Sequence, residues 1–204
     1  MSSTALTHKP RKGQLTRVRI LEAAASVLER DGYAAATLTE IAAVAKMQAG
    51  SLYYHFDSKD AIVEEVLRVG VEHSRGAICV AVEGQGPDAS GHDQLLAAVA
   101  AYVQVVVAES NFTRANIRCF EEAPKAARES LALPLRDFAN LWVGLLEKGQ
   151  RDGSIRADLE PRVIARMTIA ALNSCVQWYR PDGDLSVEEV AAMFATSLVD
   201  GLAT

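Results

Sequence analysis

The segment from residue 37 to residue 59 constrains the fold more than any other part of the chain, because it predicts two short helices joined by a tight turn. Thr37 and Glu40 have the Thr-x-x-Glu spacing of a capping box, in which each side chain satisfies a backbone N–H of the first turn. The apolar residues behind this cap fall on one helical face. They are Leu38, Ile41, Ala42 and Ala45. This face is too small to form a core alone and requires a neighbouring helix.

A second helix is predicted over residues 49–56, with Leu52 and Phe56 four residues apart on its inward face. A helix over residues 16–30 precedes both and ends at Asp31-Gly32, which is a C-cap signal. Three helices with this spacing form a helix-turn-helix, whose second helix can enter the major groove of DNA.

Residues 36–42 (ATLTEIA), 50–56 (GSLYYHF) and 58–60 (SKD) resemble the N-terminal domain of TetR-family transcriptional regulators at several fixed offsets. The resemblance covers residues 16–67, and the rest of the chain is similar to the family only in its helical character and length. The turn departs from the family pattern, which has a glycine where Lys46 stands and often a serine cap where Gln48 stands. Lys46 is therefore predicted to adopt a positive φ, at a cost of roughly 1 kcal/mol relative to glycine.

Composition and length favour an all-α fold. Half of the 204 residues are hydrophobic, 6% are aromatic, and strand-like alternation is scarce. We predict a basic tail and three-helix DNA-binding head over residues 1–60, followed by a helical effector-binding and dimerisation bundle over residues 61–204, with about nine helices in all.

The apolar stretch over residues 95–108 is shorter than the roughly 18 residues of a membrane span and is interrupted by Gln104, so a buried core helix is expected. The N-terminus has no apolar signal-peptide core, and the three cysteines form no disulfide or metal pattern. They are Cys79, Cys119 and Cys175. These features predict a cytoplasmic protein without a membrane partner.

The charge is distributed unevenly along the chain. Residues 1–60 carry eight Lys/Arg and six Asp/Glu, a net of +2, whereas residues 61–204 carry a net of −7. Five basic residues precede the first acidic one. They are Lys9, Arg11, Lys12, Arg17 and Arg19. A basic tail that leads into a helix-turn-helix indicates phosphate contact, although a solvated tail has the same composition.

The candidate DNA-binding residues lie on the predicted recognition helix and the helix ends beside it. Lys59 follows Ser58 at a helix start, where its ammonium and the free N–H groups can meet a phosphate. Gln48 can hydrogen-bond an adenine edge, and the resemblance places Tyr54 and His55 near phosphates and base edges. The full set is Thr37, Gln48, Ala49, Gly50, Ser51, Tyr54, His55 and Lys59.

The last two predicted helices carry stripes of apolar and small residues that let helices approach closely. The resemblance implies that they form a four-helix dimer interface, while an ordinary intrachain core fits the same stripe. A twofold dimer would present two recognition helices to half-sites roughly 34–36 Å apart. The candidate interface residues are Met167, Ala170, Ala171, Ser174, Val190, Met193, Phe194 and Ser197.

A regulator of this kind must sense a small molecule, and only the helical body has the volume for a pocket. Segments 149–161 and 177–181 resemble a TetR subgroup tied to lipid or acyl-CoA metabolism, which implies a lipophilic or acyl-CoA-like effector. Residues of this kind are more often plain core than ligand contacts. The candidate pocket residues are Tyr102, Phe112, Asn116, Phe120, Phe138, Trp142, Asn173 and Trp178.

The sequence offers no catalytic residues, metal ligands or cofactor motif. Its four histidines lack metal-ligand spacing, and neither GxSxG nor HExxH occurs. We therefore expect a repressor that binds a palindromic DNA operator as a homodimer and is released by its effector. The alternatives are an architectural DNA-binding protein without an effector and a helical enzyme.

Overall fold

The computed structural model describes residues 12–203 and is helical, which confirms the predicted fold class. The helices are α1 (Lys12–Ala35), α2 (Leu38–Val44), α3 (Ala49–Leu52), α4 (Lys59–Glu83), α5 (Gly91–Gln104), α6 (Asn111–Cys119), α7 (Lys125–Ser130), α8 (Ala132–Asp152), α9 (Pro161–Asn173), α10 (Cys175–Trp178) and α11 (Val187–Phe194). The described residues thus form eleven α-helical segments, where about nine helices were expected. The difference arises because α3, α7 and α10 are separate short segments of four, six and four residues.

Several helix ends form at residues whose local chemistry favours them. Gly32, with φ 81° and ψ 174°, breaks α1 at the predicted position, after which one further turn reaches Ala35. Gly153 ends α8 in the left-handed conformation, and Pro161 occupies the first turn of α9. Ser186 and Glu189 form a complete capping box at the start of α11. Local backbone preferences therefore account for these boundaries.

The cap of α2 is only half of the predicted capping box. Thr37 Oγ1 accepts a hydrogen bond from the backbone N–H of Glu40 at 3.2 Å, as expected. The carboxylate of Glu40 does not return to the Thr37 backbone, because it forms an ion pair with Arg30 of α1. The motif thus fixes the start of α2 and also ties it to the preceding helix.

The recognition helix is shorter than predicted. Only Ala49–Leu52 is α-helical, and the backbone N–H groups of His55 and Phe56 both donate to the carbonyl of Leu52 as the chain turns away. Gln48 makes no side-chain cap, in agreement with its weak capping chemistry. Leu52 and Phe56 are nevertheless buried, as their spacing predicts.

The buried apolar residues form two cores, and the boundary between them lies within α4. The head core is built from α1, α2, α3, the first half of α4 as far as Leu67, α6 and α7. The body core begins at Val71 of α4 and includes α5, α8, α9, α10 and α11. Helix α4 therefore belongs to both cores, and α6 packs on the head although it lies far beyond it in sequence.

The crossing of α4 and α6 is exceptionally close. A Cβ atom on Gly70 would lie 2.3 Å from the carbonyl oxygen of Phe112. The hydroxyls of Thr113 and Ser74 both donate to the carbonyl of Gly70, at 3.1 and 2.9 Å. Only glycine permits this approach, so Gly70 fixes how the two helices meet.

The apolar stretch around α5 is longer than expected from the sequence. The helical run Gly91–Ala108 reaches 18 residues with a mean hydropathy of 1.2, which corrects the expectation of a stretch too short to cross a membrane. Half of this run is buried against other parts of the chain, as in ordinary core helices, so its length and composition are weak evidence for a span. Ala100 is exposed, so α5 is buried on one face and not all round. The run ends in a π-helical turn, Val105–Glu109.

Candidate DNA-binding and effector sites

The predicted recognition surface is exposed around α3. Tyr54 is 89% exposed. Gln48 and Gly50 are exposed beside it, and a Cβ atom on Gly50 would meet no atom within 4 Å. Thr37 is also exposed, whereas Ala49, Ser51 and His55 are half-buried. The inward anchors Leu52 and Phe56 therefore leave a polar and aromatic face directed at solvent.

Lys46 is a cation on this surface that sequence reasoning left out. It adopts φ 54°, the positive value that its turn position predicts, and its side chain is exposed immediately before α3. Within residues 12–203, no acidic side chain lies within ion-pair distance of its ammonium. The signal that identifies it is the tight turn, which directs this residue outward.

Lys59 has a structural contact in addition to its predicted one. Its Nζ donates to the backbone carbonyl of Tyr33 at 2.7 Å and lies 4.3 Å from the centre of the Tyr33 ring. The Tyr33 hydroxyl donates to Asp60 at 2.9 Å, and burial together with this bond raises the pKa of Tyr33. Lys59 thereby joins the start of α4 to the end of α1, and one of its three N–H donors is already used.

Arg17, part of the predicted basic tail, has three contacts within the head. It donates to the carbonyl of His55 at 2.8 Å, forms an ion pair with Glu65, and lies 3.9 Å from the centre of the Phe56 ring. Arg19 is exposed. Lys9 and Arg11 lie outside the described residues, and Lys12 begins α1.

Four of the predicted effector residues come together in the body core. The rings of Tyr102, Phe138 and Trp142 pack with their centres 5.4 to 6.4 Å apart. The Tyr102 hydroxyl donates to Asn173 Oδ1 at 2.6 Å, and burial strongly raises the pKa of Tyr102. This aromatic cluster joins α5, α8 and α9.

The other four predicted effector residues lie elsewhere, because α6 packs against the head. Phe112 contacts the ring of His73, with centres 5.4 Å apart, and Asn116 donates to the carbonyl of Leu67 at 3.0 Å. Phe120 packs against the head core. Trp178 is 46% exposed. The ring contacts and hydrogen bonds of these four residues do not involve the aromatic cluster, and their assignment to an effector pocket stays a prediction.

A cleft of about 650 Å³ opens between α8 and α9. It is lined by Arg136, Arg162 and Arg166, together with Leu135, Ala139, Asn140, Val143 and Ala165. Within residues 12–203, none of the three guanidinium groups has an acidic partner within 4 Å. Sequence reasoning missed this arginine cleft, although Arg162 and Arg166 are one helical turn apart, because the position of Arg136 depends on how α8 packs.

Four of the eight predicted dimer residues are exposed, on α9, on α11 and in the turn that follows α11. Met167 is 62% exposed and Met193 is 53% exposed, while Ala170 and Ser197 are also exposed. Ala171, Ser174 and Phe194 are half-buried. Val190 is 1% exposed because α11 turns it onto the body core of its own chain, and its assignment to an intersubunit surface stays a prediction. Among the described residues, no group of three His, Cys, Asp or Glu side chains is arranged to hold a metal ion.

Comparison with known families decides what the chain is. Residues 20–66 match the family model described as bacterial regulatory proteins, tetR family. Residues 88–202, more than half of the chain, match the tetracyclin repressor-like C-terminal domain. The chain belongs to the TetR family of transcriptional regulators. Members of this family are regulators and not enzymes, so the enzyme alternative is removed.

The similar proteins include named transcriptional repressors. The HTH-type transcriptional repressor KstR2 of Rhodococcus jostii RHA1 is 32% identical over 193 residues, covering 92% of this chain and 91% of that protein. The structure of the ketosteroid transcriptional regulator KstR2 of Mycobacterium tuberculosis has a TM-score of 0.77 at 24% identity, covering 92% and 95%. AibR, solved in complex with isovaleryl coenzyme A and operator DNA, has a TM-score of 0.81 at 19% identity, covering 90% and 98%. The two structures establish the shared TetR fold.

Proposed function

We propose that this TetR-family regulator represses transcription by binding a palindromic operator as a homodimer, and that an acyl-CoA-like effector releases it. The observation that carries the proposal is the exposed face around α3, where buried Leu52 and Phe56 hold Tyr54 outward. A DNA-binding regulator of this kind works in the cytoplasm. The polar groups offered to DNA are those of Thr37, Gln48, Ser51, Tyr54, His55 and Lys59, with Lys46 added from the geometry of the turn.

The exposed apolar side chains of α9 and α11 support a dimer. Val163 and Met167 of α9 and Met193 of α11 are each more than half exposed. Trp178 connects the two helices, because its ring centre lies 6.4 Å from that of Phe194. Apolar patches of this kind mark protein interfaces. A twofold axis here would place two copies of α3 on half-sites roughly 34–36 Å apart.

The arginine cleft and the aromatic cluster support an amphiphilic effector. Three guanidinium groups fit the phosphates of a coenzyme A moiety, since arginine binds phosphate through paired donors. Ala165 lines the cleft and also belongs to the body core that contains Trp142, so an apolar acyl group can continue inward from the same opening. AibR, which shares the fold, holds isovaleryl coenzyme A in its solved complex.

Effector binding in the body would change the position of the head through α4 and α6, which connect the two cores. Opening the body core moves α5 and α8 against the second half of α4, whose first half belongs to the head core. The effector must favour a separation of the two heads that no longer matches the half-sites, because a ligand shifts an equilibrium only by its differential affinity for the two states.

Dimerisation is tested by charging the exposed apolar face. The double variant M167E/M193E is expected to sediment as a monomer and to lose protection of its operator. L133E is the matched control, because Leu133 is 59% exposed on the same body but lies at the start of α8. A double variant that stays dimeric with unchanged operator binding would contradict the proposed interface. Equal affinity of the wild type for random DNA would instead favour an architectural protein.

A further inference from the structure

The indole of Trp142 is a buried hydrogen-bond donor without an acceptor. Its side chain is fully buried, and none of the described residues accepts a hydrogen bond from its Nε1. Indole Nε1–H can only donate, and burying such a donor unpaired costs free energy. The other tryptophan of the chain shows the usual solution, since Trp178 Nε1 donates to Ser174 Oγ at 3.1 Å.

The described side chains around Trp142 do not accept a hydrogen bond from its Nε1. The hydroxyl of Tyr102 is directed to Asn173 Oδ1, at 2.6 Å, and the ring of Phe138 packs edge-on to the indole with centres 6.4 Å apart. The surroundings are otherwise buried and apolar, and such an environment disfavours a charged group. The missing partner is therefore a neutral acceptor on a mostly apolar molecule.

We propose that Trp142 Nε1 donates a hydrogen bond to a carbonyl oxygen of the effector and selects ligands that carry one at the end of an apolar path from the arginine cleft. This inference rests on the proposed function, because it specifies the chemistry of the same effector. Ala165 lines the arginine cleft and belongs to the same body core as Trp142, so it is the point from which the ligand would enter that core. A ligand with its anionic group among Arg136, Arg162 and Arg166 reaches Trp142 by separating the rings of the aromatic cluster.

The experiment uses two probes that differ only at the carbonyl. Octanoyl-CoA has a thioester carbonyl, and S-octyl-CoA has a methylene in its place. The chain has two tryptophans, so full-length ¹⁵N-labelled protein gives two indole N–H signals, and W142F identifies the one from Trp142. Affinities are measured by calorimetry for both probes on the wild type and W142F.

Octanoyl-CoA is expected to move the Trp142 indole proton downfield while the Trp178 signal stays in place. The wild type should bind octanoyl-CoA about five- to tenfold more tightly than S-octyl-CoA, the effect of one net hydrogen bond. W142F keeps an aromatic ring but has no donor, so it should lose this discrimination. If W142F fails to fold, the wild-type indole signals and the two wild-type affinities still show whether Trp142 bonds to the carbonyl of the ligand.

Two results would overturn the inference, and they are distinguishable. If octanoyl-CoA binds and releases DNA but leaves the Trp142 signal unmoved, or if both probes bind equally, Trp142 is not the anchor and the proposed function stands. If neither probe binds while operator binding is intact, the acyl-CoA class of effector is wrong and the inference falls with it.

Discussion

The head core and the body core place their functional groups in different ways. In the head, Leu52 and Phe56 face inward from one short turn of chain, and Tyr54 between them faces solvent. In the body, the aromatic cluster is assembled from α5, α8 and α9, which are separated by long stretches of sequence. The head can therefore be recognised from a local motif, whereas the effector site depends on packing between distant helices.

The largest expected effect is at Gly70, where the two cores are joined. G70A places a Cβ atom 2.3 Å from the carbonyl oxygen of Phe112, so α4 and α6 must separate. We expect a loss of about 1–3 kcal/mol in the free energy of unfolding, measured by urea denaturation. G76A is the matched control on the same helix, because its Cβ would meet nothing within 4 Å. G76A should gain about 0.5–1 kcal/mol. If G70A and G76A changed the free energy of unfolding by the same amount, the close crossing of α4 and α6 would not be what joins head and body.

The next effect is at the cap of α2. T37A removes the acceptor of the Glu40 N–H bond and should lower the free energy of unfolding by about 1 kcal/mol. The exposed Thr39 lies inside the same helix, so T39A serves as the control and should leave stability nearly unchanged. Equal losses in thermal unfolding would show that the cap contributes nothing specific.

Lys46 should affect stability and DNA binding in opposite directions. K46G relieves the positive φ of 54° and should stabilise the head by about 1 kcal/mol. It also removes a cation beside α3 and should flatten the salt dependence of operator binding by about one unit of slope.

K59A should flatten the slope similarly but destabilise the head, since Lys59 also bonds to Tyr33. K125A, on α7, should leave the slope unchanged. An unchanged slope in K46G would place Lys46 away from the phosphates.

The smallest effect concerns the contact between α5 and α8. Asp152 accepts from Ser154 and from the backbone N–H of Gly91 at 2.7 Å, and these bonds lower the pKa of Asp152 below its ordinary 3.8. A lowered pKa in the folded state stabilises the protein above the ordinary value, and this stability is lost as the pH falls through the folded-state pKa. Wild type should therefore exceed D152N in thermal stability at neutral pH and lose that advantage below about pH 3.8. A constant difference down to pH 2 would show that the charge of Asp152 does not matter.

The contrast between head and body also explains what the sequence could predict. The cap at Thr37, the break at Gly32 and the positive φ of Lys46 follow from neighbouring residues, and the structure has all three. The length of α3 could not be read from its apolar spacing, because Leu52 and Phe56 are inward in a turn as well as in a helix.

Residues of the body were harder to assign, because their environment depends on packing. Phe112, Asn116 and Phe120 are residue types that often line pockets. In the structure, the packing of α6 directs them to the head. Val190 fits the small-residue stripe of α11 but faces the body core. The unpaired donor of Trp142 and the arginine cleft appear only once the helices are placed together.

The decisive experiment is footprinting on the DNA upstream of the protein's own gene. A dimeric, effector-released repressor should protect one palindrome, contacted on two successive major grooves, and lose that protection when octanoyl-CoA is added. Uniform weak protection along the whole fragment, or a footprint that covers a single half-site, would contradict it.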